Sequence, residues 1–89
     1  MSSQPSDMAI KTLLVTNQPA IGNLIRELRL ETGLTQAKFG AMLGVTYPTV
    51  SRWENGLATP SPLAILKIER QLRQIGERRQ DLLQQYLRK

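Results

Sequence analysis

A chain of 89 residues has room for one domain with a small core, which packed helices fill more economically than a large sheet. It contains no cysteine and no histidine, which excludes disulfides, thiolate metal sites and the commonest general base, so no cofactor is expected and enzymatic activity is the poorest reading. Twelve Lys and Arg against seven Asp and Glu give a net charge of +5, which suits a polyanionic partner. No apolar run approaches a bilayer span and residues 1–7 lack the order of a signal peptide, so no membrane partner is expected and the default compartment is the cytoplasm.

In chain order, residues 1–16 read as a flexible arm: 1–7 show no apolar pattern, and the β-branched stretch around Leu13 and Leu14 has no visible partner strand. Asn17 or Gln18 followed by Pro19 marks a helix start. Ile21, Leu24, Ile25 and Leu28 then recur at helical spacing, predicting a first helix over Ala20–Thr32 that Gly33 closes. Thr35 is expected to cap a second helix with Phe39, Gly40 and Leu43 inward, broken at Leu43-Gly44-Val45. Thr46 is expected to cap a third, over about 46–54, carrying Val50 and Trp53 on its apolar face and stopping at Asn55-Gly56. Because a residue before proline is pushed away from helical angles, Tyr47-Pro48 predicts that this helix begins one residue late. Pro62 opens a fourth helix with Ile65, Leu66, Ile68, Leu72 and Ile75 at spacings of three and four, interrupted at Gly76. Residues 80–88, with Leu82, Leu83, Tyr86 and Leu87, form either a fifth helix or a kinked continuation of the fourth. The expected fold is all-α, a compact four- to five-helix bundle, divided into the arm at 1–16, a helical domain at 17–76 and a C-terminal amphipathic helix at 77–89.

Residues 36–54 supply what a tight helix-turn-helix requires. Gly40 is small where two backbones approach, Gly44 tolerates positive φ in the turn, and Phe39, Leu43, Val45, Val50 and Trp53 face one another. Through Gly33-Leu34-Thr35-Gln36-Ala37, Leu43-Gly44-Val45 and Ser51-Arg52-Trp53-Glu54-Asn55-Gly56 the sequence resembles the Xre family, the helix-turn-helix class of the Cro and phage-repressor proteins. The resemblance implies a repressor-like domain that binds double-stranded DNA with helix 3 in the major groove. At about 100° per residue, Tyr47, Pro48, Ser51, Arg52 and Asn55 share the side opposite Val50 and Trp53. Of these, Tyr47, Pro48, Ser51 and Arg52 are the expected base-facing residues. Arg52 is chemically the strongest, because a guanidinium can donate two parallel hydrogen bonds to guanine. Gln36, Thr46, Lys38 and Asn55 are the expected phosphate or positioning contacts, the first two at helix N-termini whose free amides favour anions. Against these stand blander assignments: Arg52 as an ordinary solvated residue, Gln36 as a first-turn surface residue, Thr46 as a cap. The resemblance further implies a partly buried ion pair between Arg29 and Glu54, which would lock helix 3 to helix 1. Trp53, on the apolar face, is expected in the core.

The charge lies mainly in the tail: residues 63–89 hold seven basic against three acidic residues, whereas 17–60 hold four against three. The loop Leu57-Ala58-Thr59-Pro60 carries no base, so phosphate charge is expected from Lys38, Arg26 or the tail. The tail's apolar residues exceed what a small bundle obviously needs, and a homodimer through the C-terminal helix, placing two copies on successive half-sites, is the expected use. The main reading is thus sequence-specific DNA binding by a transcriptional regulator, a repressor by its resemblance. Its rivals are an antitoxin-like or adaptor protein that holds a protein partner through the C-terminal helix, and an RNA binder using Arg70, Arg73, Arg78 and Arg79.

Overall fold

The computed structural model describes Leu14 and residues 16–86. Among these residues five helices follow one another: α1 (Ala20–Thr32), α2 (Gln36–Leu43), α3 (Tyr47–Glu54), α4 (Pro62–Gly76) and α5 (Gln80–Tyr86). Residues 1–13 of the arm lie outside the described part, but Leu14 at its end is fully buried in the core.

Local chemistry sets the boundaries. Thr35 and Ser61 accept from the backbone amides of Lys38 and Ala64, satisfying one orphan donor at the start of α2 and of α4. Gly33 and Gly44 close α1 and α2 at φ of 73° and 79°, which a side chain with Cβ adopts only at a steric cost. Thr46 is the residue preceding α3, but its hydroxyl bonds the Thr49 hydroxyl at 3.1 Å and makes no bond to the backbone, so the expected side-chain cap is absent. The helix begins at Tyr47, without the one-residue delay that Pro48 suggested. The Thr46 carbonyl already accepts from the amides of Thr49 and Val50, so the first turn closes around Pro48, whose missing N–H falls where a helix has no partner for it. Gly76 ends α4, and a break at residues 77–79 makes α5 a separate helix.

The apolar faces of all five helices and Leu14 meet in one core. Ile21, Leu24, Ile25 and Leu28 of α1, Phe39 of α2, Val50 of α3, and Ile68 and Leu72 of α4 are fully buried. α2 and α3 pack through Gly40, where a Cβ would come within 2.7 Å of the Val45 carbonyl oxygen and 3.2 Å of Val50 Cγ2. Any side chain here would force the two helices apart, so Gly40 sets the spacing of the pair.

α5 belongs to this core. Leu82 and Tyr86 are buried, and Leu83 packs against them. The apolar surplus on which the dimer expectation was built is therefore largely consumed within the chain, while Leu87 lies outside the described residues. Two polar straps fasten α5 to α1: the Tyr86 hydroxyl donates to Glu27 at 2.7 Å, and Arg79 reaches Glu31 at 2.6 Å while also pairing with Asp81 at 2.8 Å.

Candidate nucleic-acid interface

The site is built on α3, a helix of eight residues whose two faces have opposite fates. Val50 and Trp53 are buried against α1 and α2, so Tyr47, Pro48 and Arg52 stand exposed on the other side, with Ser51 half-buried beside them. Tyr47 is 55% exposed, unusual for a ring of its size, and leaves a large amphipathic surface at the helix N-terminus. Asn55, also exposed, donates to the Ser51 hydroxyl at 3.3 Å. Among the described residues Arg52 makes no ion pair.

Behind this face lies a buried charge. The Glu54 side chain is 1% exposed and would be costly alone, but Arg29 grips both its oxygens, Nε to Oε2 at 2.7 Å and Nη2 to Oε1 at 3.1 Å. Gln36 Nε2 adds a third donor at 3.1 Å, and Arg26 Nε lies 3.6 Å from the same carboxylate. Burial pushes the Glu54 carboxyl up; the hydrogen bonds from Arg29 and Gln36 and the charges of Arg29 and Arg26 outweigh it and hold the group below the ordinary carboxylate range. Its hydrogen bond to Glu54 raises the Arg29 guanidinium in turn. Both members of the expected ion pair therefore belong to the scaffold, tying the end of α3 to α1 and to the start of α2.

Gln36 takes part in that network and does not stand free at the N-terminus of α2. One of its two amide hydrogens is committed to Glu54 and the other remains. Lys38 is exposed one turn into α2. Two residues that sequence reasoning assigned no role here also touch the site: Gln18 reaches the backbone of Trp53 and Ala58 at 3.1 and 2.7 Å, and Lys67 Nζ lies 3.4 Å from the Leu43 carbonyl at the end of α2. Local pattern carries no sign of the former, since it spans 35 to 40 residues of chain. The basic tail is less available than its charge suggests, because Arg73 pairs with Glu69, and Arg78 and Arg79 both face Glu31. Among the described residues no helix is long and apolar enough to cross a membrane.

Two helices joined by a tight glycine turn, the second exposing a polar face ahead of a locked base, define the class of DNA-binding helix-turn-helix regulators. Residues 25–77 match the family model described as Helix-turn-helix, and the chain belongs to this family, in its Xre-type branch. It is 46% identical over 46 residues, 52% of its own length and 70% of the relative's, to the uncharacterized HTH-type transcriptional regulator YgzD of Bacillus subtilis (strain 168). No solved structure matches it significantly.

Proposed function

We propose that the protein is a sequence-specific transcriptional regulator, acting as a repressor, that inserts α3 into the major groove of double-stranded DNA and reads bases with Arg52. The observation that carries this reading is the exposed guanidinium on this face of α3: Arg52 makes no ion pair among the described residues, while three of the tail arginines are paired intramolecularly. A cation left unpaired on the exposed side of a rigidly held helix is available for a bidentate bond to guanine O6 and N7. Tyr47 and Pro48 offer apolar surface to a thymine methyl, and Ser51 a hydroxyl to either base type.

Lys38, Thr46, Asn55 and the second amide hydrogen of Gln36 are the proposed phosphate contacts that fix the register of the helix. Two copies on successive half-sites would supply the affinity that one short helix lacks. The pairing of Arg73, Arg78 and Arg79 argues against an RNA-binding tail, and the burial of Leu82 and Tyr86 leaves α5 little apolar surface for a protein partner.

Selection from a pool of random duplexes tests the reading. A defined motif should be enriched, and its affinity should fall steeply as salt rises because each neutralised phosphate releases counterions. A folded protein that enriches no motif would contradict it.

A further inference from the structure

Along one edge of α1, Gln18, Gly22, Arg26 and Arg29 follow at intervals of four, four and three residues, and all four meet the C-terminal end of α3. Gln18 sits just before the helix, and its amide makes three hydrogen bonds. Nε2 donates to the Trp53 carbonyl at 3.1 Å and to the Ala58 carbonyl at 2.7 Å, while Oε1 accepts from the Gly22 amide at 3.1 Å. At Gly22 the two helices touch backbone to backbone: a Cβ there would collide with the Trp53 carbonyl oxygen. One turn on, Arg26 Nη2 donates to the Glu54 carbonyl at 3.4 Å, and Arg29 then takes the Glu54 carboxylate.

The last carbonyls of a helix are its unsatisfied, negative end. Here that end is held by a row of donors and by a contact with no side chain in between to absorb a shift. The opposite end of α3, with Tyr47 and Pro48 on its exposed side, projects away from this grip, whereas Arg52 lies in the last turn beside it. A small rotation about the held end therefore becomes a larger displacement of the exposed side chains at the far end.

Resting on the proposed reading of DNA by α3, we propose that Gln18 is a positioning residue: it fixes the angle at which α3 leaves the scaffold and thereby sets sequence discrimination without touching DNA. Gln18 is at once an acceptor for a first-turn amide of α1, the clamp on the α3 carboxyl end and the tie to the loop that follows. Arg26 repeats the clamp one turn away.

The test uses Gln18→Met, which keeps the length of the side chain and removes its three hydrogen bonds, beside Ile75→Val, a core truncation in α4 that costs stability without touching α3. Two readouts are taken from folded full-length protein: the orientation of α3 relative to α1 from residual dipolar couplings, and the ratio of affinities for the selected motif and for a scrambled duplex. Gln18→Met should reorient α3 and lower that ratio by about tenfold, the scale of one lost base contact, with the scrambled duplex bound as before. Ile75→Val should leave both unchanged. An unmoved α3, or a reoriented α3 with an unchanged ratio, overturns the proposal. Wild-type protein that selects no motif instead removes the DNA reading on which the proposal rests, and the couplings then still report separately whether Gln18 sets the angle of α3. Gln18→Glu, which keeps an acceptor for the Gly22 amide and loses the donors to Trp53 and Ala58, carries the same two readouts should Gln18→Met not fold.

Discussion

At the scale of single residues, the molecule contrasts a charge that is locked with one that is free. Glu54 is buried and triply hydrogen-bonded, Arg52 two positions earlier is exposed and makes no ion pair among the described residues, and the turn of the helix alone separates their roles. Arg29→Ala should therefore cost about 3 kcal/mol of stability, because it strands the Glu54 carboxylate without its bidentate partner. Thermal or denaturant unfolding measures this, and an unchanged stability with lost DNA binding would move Arg29 to the DNA surface. Glu54 also makes the fold sensitive to acid. Its folded pKa lies below its ordinary value of 4.5, so its contribution is fully present above that value and is lost as pH falls through the folded pKa. Unfolding followed from pH 6 downward should show stability declining below about pH 4.5, with a shallower decline in Glu54→Gln.

At the scale of elements, the caps decide which helix starts are fastened. Thr35→Ala should cost about 1 kcal/mol, because it removes the acceptor for the Lys38 amide. Thr46→Ala should cost distinctly less, since the Thr46 hydroxyl bonds only to that of Thr49 and no backbone amide loses a partner. Paired urea melts of the two variants check the order, and equal losses would mean that Thr46 caps α3 in solution. Most helix limits were legible in the sequence because the signals are local: Pro19, Gly33, Thr35, Gly44 and Pro62 each act within one turn of their own position. The apolar and exposed faces of α3 were legible for the same reason, being fixed by helical periodicity. What pattern could not show is where a polar side chain goes when its partner lies far along the chain. Gln18 reaches Trp53 and Ala58, and Gln36 turns to Glu54 from 18 residues away. Gln36 looks like an ordinary first-turn glutamine, and Gln18 like a residue merely leading into a helix, until the helices are packed.

At the scale of the whole molecule, α5 closes the core that α1 and α4 leave open. The sequence showed that residues 80–88 are amphipathic but not which surface they cover, because a lid and a dimer interface have the same pattern. Burial of Leu82 and Tyr86 in the chain's own core, with Tyr86 bonded to Glu27, assigns them to the lid. Burial, followed by the hydrogen bond to Glu27 and that residue's charge, pushes the Tyr86 hydroxyl up to about 12 from an ordinary value of 10.0. A raised phenol pKa contributes stability that is whole below the unfolded value and lost as pH rises toward the folded one. Alkaline titration should therefore loosen the fold between about pH 10 and 12, and Tyr86→Phe should be less stable at neutral pH but lack that extra alkaline loss.

All of these elements hold one exposed helix face in place, and Arg52 is the residue on that face whose role is most specific. Arg52→Ala removes no core contact, so folding should be preserved. On a matched set of operator variants, preference should relax at one base pair per half-site by roughly 1–3 kcal/mol and elsewhere stay as in the parent protein. Arg52→Lys should restore only part of it, because an ammonium keeps the charge without the planar fork. A uniform loss of affinity across the whole set, with the salt slope reduced by about one, would show that Arg52 holds a phosphate and would contradict base reading by this residue.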